Sequence, residues 1–173
     1  MNAALELLEV DGSTGLSLRA VARRAGVSPM APSRHHPSRD ALVSAVTAEG
    51  YRELAEKLAE AGTAPGDLAE IAVAYVRFAL DRPAMFRVMF AEPCGPGDAE
   101  RAAAVAAVSG YVRDLVAGVF PDTDPAPLAD GVWALVHGLA FLHLDGKFAA
   151  ADPDAVAARV RTTVHALLAT RGA

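Results

Sequence analysis

Between Ser17 and Arg39 the chain places Arg19, Arg23, Arg24, Arg34 and Arg39 with no acidic residue among them, in a protein whose net charge is −5. Guanidinium groups packed this closely suit one task above others, the holding of phosphate oxygens. The stretch from Ser28 to His36 lies among them and alternates small, hydroxyl-bearing and imidazole side chains. Arg34 is the one residue there with the planar fork that reads a guanine edge. Met30 and Ala31 offer only apolar contact to thymine methyl groups. Ser17, Ser28, Pro29, Ser33 and His35 join Arg19, Arg34 and Arg39 as candidates for a nucleic-acid contact. A solvated arginine-rich face would carry the same charge, so the positioning elements must separate the two readings.

A second group of side chains is soft and aromatic. Tyr75, Phe78, Met85, Phe86, Met89, Phe90, Tyr111, Trp133, His137 and Phe141 hold most of the bulky side chains of the chain. Trp133, His137 and Phe141 recur every four residues, one stripe on a helix. Any one of them could simply fill a core. As a set they point to a pocket, because the polar tips of Tyr75, Tyr111, Trp133 and His137 need partners inside a helical bundle. Tyr75, Phe78, Phe86, Met89, Tyr111, Trp133, His137 and Phe141 are the ligand-binding candidates. With no Lys or Arg cluster beside them, the expected ligand is an apolar or aromatic small molecule.

Other chemistries find little support. The histidines at 35, 36, 137, 143 and 165 have no metal-ligand spacing with Cys94 or with carboxylates, so neither a metal nor another cofactor is expected. No G-x-S-x-G and no glycine-rich phosphate loop occurs. Ser33, His35 and Asp40 are too close in sequence to form a triad, and an enzyme is not expected. A single cysteine excludes a disulfide framework and suits a reducing, cytoplasmic setting. No leader opens the chain and no apolar run reaches the ~18 residues of a membrane span, so no membrane partner is expected.

The elements that must position these residues are helices, nine of them by pattern. An apolar repeat at Ala4, Leu5, Leu7 and Leu8 predicts a first helix stopping at Asp11-Gly12. Ser17 can cap a second over Leu18–Ala25, ended by Gly26. Ser28-Pro29 opens a short third helix to about His36, with a loose or 3₁₀-like entry because Pro32 lacks the donor the first turn needs. Ser38 caps a long fourth helix to about Ala61. Helices near 67–81, 84–91, 98–119, 126–147 and 153–170 follow. The fold class is all-α: a three-helix helix-turn-helix headpiece over residues 1–50, then a larger bundle over 51–173. In the headpiece Ala22 allows a close helix crossing, Gly26 the sharp turn, and Val27 plugs the small core.

Taken together, Ala4, Leu8, Gly12, Ser17, Val21, Ala22, Ala25, Gly26, Val27, Ser28, His35, Arg39 and Leu42 resemble the N-terminal pattern of the TetR family of bacterial transcriptional regulators. VWALVHGLA resembles the Trp…His-Gly signature of one C-terminal subgroup. The resemblance implies phosphate contacts from Ser17, His35 and Arg39, and a third helix presenting Pro29, Met30, Ala31 and Arg34 to the major groove. It implies a homodimer on a palindromic double-stranded operator, released by a small effector. The dimer would use the last two helices, through Leu135, Leu139, Leu142, Val156, Val160, Val164 and Leu167. Two residues depart from the pattern: Ser33 stands where the family has Tyr, and His36 where it has Phe. The basic arm before the first helix is also absent, which removes one phosphate clamp unless the chain begins upstream of Met1. These departures motivate an alternative, a dimeric ligand- or partner-binding protein whose headpiece has weakened.

Overall fold

The computed structural model describes residues 1–62, 68–91 and 98–169. Every regular element among them is helical: α1 (Asn2–Gly15), α2 (Leu18–Ala25), a 3₁₀ turn (Pro32–Arg34), α3 (Arg39–Ala61), α4 (Leu68–Asp81), α5 (Pro83–Ala91), α6 (Ala99–Val119), α7 (Pro125–Leu144) and α8 (Pro153–Ala169). Cys94 lies outside the described residues. The chain divides into two compact units. The first takes residues 1–53 and 82–106, the second 54–81 and 107–173, so segment 1–50 falls wholly within the first.

In the first unit, α1 buries Ala4, Leu7 and Leu8 at i, i+3 and i+4 against α2 and α5. The helix does not stop at Gly12 as its sequence predicts. Gly12 takes a left-handed φ of 67°, the helix kinks there, and one more turn runs to Gly15. Arg39 holds that turn from above, donating to the carbonyls of Ser13 at 2.8 Å and Leu16 at 3.2 Å. Ser17 caps α2 as expected, its hydroxyl oxygen accepting from the Ala20 N–H at 3.2 Å. Gly26 ends it in the left-handed region, and the Val27 N–H closes back on the Ala22 carbonyl at 3.0 Å.

The expected third helix contracts to a 3₁₀ turn. Pro32 has no N–H to give the Ser28 carbonyl, so the Ala31 N–H bonds it instead, three residues on rather than four, at 2.9 Å. The same i→i−3 spacing repeats from Arg34 to Ala31 and from His35 to Pro32. Pro32, not Val27, is what this turn buries; Val27 is 47% exposed. Ser38 then caps α3 through the Ala41 N–H at 3.1 Å.

The rest of the first unit is an aromatic and sulfur core. Met85 and Phe86 are fully buried, and Phe86 packs against Phe90 with ring centroids 4.8 Å apart. Tyr51 meets Phe90 edge-on at 5.6 Å and donates its hydroxyl to the Met89 carbonyl. Gly50 admits the two methionines; a Cβ there would sit 2.6 Å from both sulfurs.

In the second unit, α4 packs against α7 and α8, and α6 joins α7 through Val112, Val116 and Ala129 with Phe120, Leu128 and Val132 around them. Asp124 caps α7, and Gly146 with a φ of 67° follows its end, closing it at Leu144, three residues earlier than the sequence pattern suggests. Glu70 on α4 is gripped by both arms of Arg161 on α8, with Nη2 to Oε2 at 2.7 Å. The Arg161 bonds hold the Glu70 carboxyl below its usual 4.5, with partial burial opposing them. A depressed carboxylate stabilises the fold above pH 4.5 and loses that contribution as pH falls through the folded-state value. His137, by contrast, is pushed below its usual 6.5 by burial. The unfolded chain therefore takes up its proton first, and stability declines as pH drops below 6.5. Urea midpoints measured against pH should fall in two steps. Glu70→Gln should remove the lower step and cost about 0.5–1 kcal/mol at neutral pH, the range for a partly exposed bidentate pair.

Candidate nucleic-acid interface and effector cavity

The headpiece displays its candidates unevenly. Pro29, Arg34 and His35 are exposed, and Met30 is 68% exposed. Ser28 and Arg19 are exposed too, on either side of the Gly26 turn, while Ala31 and Ser33 are half-buried. This geometry brings Arg19, Met30, Arg34 and His35 to the solvent side of one helix-turn-helix. Two of the basic island's arginines are already engaged. Arg39 is bound to the α1 carbonyls, and Arg24 pairs with Glu6 at 2.8 Å. Ser17's oxygen is occupied by its cap. His36 is half-buried rather than enclosed, and its N–H bonds the Pro32 carbonyl at 2.9 Å.

The soft and aromatic candidates do not gather in one place. Phe86 and Met89 belong to the core of the first unit, where their neighbours are Gly50, Tyr51 and Phe90; they fill space there and do not line the second unit's cavity. The ridge that matters is elsewhere. In the second unit a cavity opens between the end of α3, α4, α6 and α7, lined by Leu58, Leu68, Ile71, Ala72, Tyr75, Val108, Val112, Leu115, Val132, Trp133 and Val136. Its volume is about 30 Å³. Of the sequence candidates, Tyr75 and Trp133 line it. A search for aromatic side chains misses the aliphatic wall, although Val108, Val112 and Leu115 show the i, i+4, i+7 spacing of one helix face.

The remaining candidates stand around this cavity. Trp133 Nε1 donates to the Tyr75 hydroxyl at 3.2 Å, and that hydroxyl lies 3.1 Å from His137 Nδ1. His137 in turn meets Phe141 edge-on, centroids 4.8 Å apart. The stripe predicted on α7 therefore exists, and its polar tips find their partner on α4. Tyr111 donates to the Leu58 carbonyl at 3.0 Å, and burial raises its pKa above the usual 10.0. Phe78 is buried one turn along α4 from Tyr75 and does not reach the wall.

The dimer candidates divide the same way. Leu139, Val156, Val160 and Val164 are buried within the chain's own core, so they cannot form the surface a partner touches. The helical spacing that singled them out is that of the core-facing stripe. Leu142 and Leu167 are exposed, at 38% and 50%, and Leu135 is half-buried.

Comparison with known proteins bears directly on this arrangement. Residues 1–46 match the family model described as bacterial regulatory proteins, tetR family. Residues 68–167 match the tetracyclin repressor-like C-terminal domain. The chain belongs to the TetR family. A helix-turn-helix regulator of Mycobacterium tuberculosis H37Rv, Rv1816, is 29% identical over 118 residues, which are 62% of this chain and 50% of that protein. The chain thus spans about half the length of the curated relatives it matches. A protein of unknown function from Rhodococcus sp. RHA1 shares the fold with a TM-score of 0.78 and 33% identity, covering 94% of this chain and 89% of that one. A tetR-family regulatory protein from the same organism, 21% identical, has a TM-score of 0.72 over 94% of this chain and 90% of its own. The TetR family is one of transcriptional regulators rather than enzymes, and the helix-turn-helix and helical C-terminal region expected of it are both present.

Proposed function

We propose that this TetR-family chain is a ligand-responsive repressor that binds a palindromic operator as a homodimer and is released by an apolar or aromatic effector. The observation carrying the proposal is the exposure of Met30, Arg34 and His35 together on the solvent side of a capped, rigid helix-turn-helix. Arg34 reads a guanine, Met30 covers a thymine methyl, and His35 and Arg19 meet phosphates. Ser17, Ser28, Pro29, Ala31, Ser33 and Arg39 complete the groove-facing set, with Ser17 and Arg39 contributing what their intramolecular bonds leave over. The effector occupies the cavity walled by Tyr75 and Trp133. The cavity is small, so a bulky occupant would spread the helices around it, and this spreading is the signal.

The test is a gel shift against the intergenic DNA beside the chain's own gene, run across a salt series. Binding should weaken steeply with salt, as phosphate contacts require, and footprinted half-sites should lie ~34–36 Å apart. Arg34→Ala should cost roughly 1–3 kcal/mol on the preferred sequence and little on random DNA. Equal losses on both would remove the base-reading role. A second reading is favoured by one observation: the recognition element is a three-residue 3₁₀ turn, with Arg24 and Arg39 tied internally. On that reading the chain is a TetR-like ligand-binding dimer with a weakened headpiece. Absence of any shift at low salt, with the effector response intact, would select it.

A further inference from the structure

The cavity wall shows a division of labour that the function above does not require. Among the described residues it carries no Lys, Arg, Asp or Glu. The polar atoms nearest to it, those of Tyr75 and Trp133, are turned toward each other rather than left for a ligand. Trp133 Nε1 is a donor only, so the Tyr75 oxygen must accept from it. The Tyr75 hydroxyl, on a side chain that is buried, is engaged again by His137 Nδ1. Both bonds span from α4 to α7, the two helices that face each other across the cavity.

We propose that the Trp133–Tyr75–His137 chain is a specificity filter: it withdraws polar atoms from the cavity, so that the effector is an uncharged, hydrocarbon-rich molecule, and hydroxyl-bearing or ionised analogues are rejected. This rests on the reading of the cavity as the effector site. A ligand hydroxyl entering the wild-type cavity loses water and finds the Trp133 N–H already given to Tyr75, which costs roughly tenfold to a hundredfold in affinity against the matching hydrocarbon. A carboxylate or ammonium is excluded more strongly, since among the described residues no countercharge lines the wall. Removing the Tyr75 hydroxyl reverses the first discrimination without shrinking the aromatic wall. Trp133 Nε1 then has a hydrogen bond to offer, and a ligand hydroxyl can accept it.

The matched series ethylbenzene, 2-phenylethanol, phenylacetate and 2-phenylethylamine tests this on one carbon skeleton. Trp133 is the single tryptophan of the chain and lines the cavity, so its emission reports occupancy directly. In the wild-type protein ethylbenzene should bind tightest, the alcohol roughly tenfold to a hundredfold more weakly, and the two ions not at all. Tyr75→Phe should bring the alcohol level with the hydrocarbon, read as the ratio of the two affinities within that variant. Trp133→Phe, followed by thermal shift, should move the same ratio toward one, because the ring nitrogen that orients the Tyr75 hydroxyl is gone. Should both variants keep the wild-type ratio, or should either ion bind as well as ethylbenzene, the filter is overturned and the cavity reading survives. If none of the four compounds changes Trp133 emission or melting temperature, both fall.

Discussion

Gly138→Leu is expected to produce a well-folded monomer that has lost its tight operator binding. Gly138 lies on the exposed side of α7, and a Cβ added there meets nothing within 4 Å in the isolated chain. Within one protomer a leucine is therefore free of clash, and it should stabilise the helix by about 0.8 kcal/mol relative to glycine. The effect on a dimer has the opposite sign. Gly131, Ala134, Gly138 and Leu142 are all exposed at the spacing of one helix face, and Gly131 is as open as Gly138. Small residues in such a row let a second helix approach closely, and a leucine in the middle holds it off.

α6 and α7 both leave apolar surface exposed in the single chain. α6 and α7 are apolar enough by length and composition to cross a membrane, with mean hydropathies of 1.4 and 1.2 over their most apolar windows, yet only 17% and 28% of those windows is buried. A dimer through α7 and α8, with Leu135, Leu142 and Leu167 on its surface, would cover the larger part of the α7 face. Sedimentation should show the wild-type protein as a dimer and Gly138→Leu as a monomer of equal or higher melting temperature. Operator affinity should drop by about 10²–10⁴, the usual loss when two linked half-site contacts become independent. A dimer that persists in the variant would place the interface elsewhere.

Phe86→Ala should be the most destabilising single change among the candidate residues, by about 3–5 kcal/mol. Phe86 is fully buried, packs on Phe90, and sits beside Met85 and Met89 where Gly50 makes room for their sulfurs. Truncation leaves a ring-sized void in a core that Tyr51 pins through the Met89 carbonyl, so collapse around it is restricted. Urea unfolding measures the loss. At temperatures where the variant remains folded, the response of Trp133 emission to apolar ligands should be unaltered, because Phe86 does not line the cavity. A variant of normal stability and altered ligand response would restore Phe86 to the binding residues.

Local signals were the legible ones. Ser17 and Ser38 cap the helices that follow them, and Gly26 ends α2 in the left-handed region, because each of these needs only a side chain and the next few backbone groups. The one-turn 3₁₀ element follows from the missing N–H of Pro32, so a loose entry could be anticipated, though not that it would consume the whole element. The headpiece motif was equally local, because a contiguous stretch of chain carries it.

The helical class and most helix boundaries were legible because they rest on contacts a few residues apart, and the basic island and the family pattern because each is carried by one contiguous stretch. Which face of each helix looks inward depends on packing between distant segments. Val156, Val160 and Val164 carry the periodicity of an interface and turn out to be core, while Gly131 and Gly138, with no side chain to register on any apolar pattern, form the open face. Phe86 and Trp133 are both bulky aromatics on helices, yet one fills a core and the other walls a cavity, according to which helix lies opposite. Periodicity reports that a stripe will be covered, but it carries no information on what covers it, since the covering residues are brought from up to 91 positions away, as Arg161 is to Glu70.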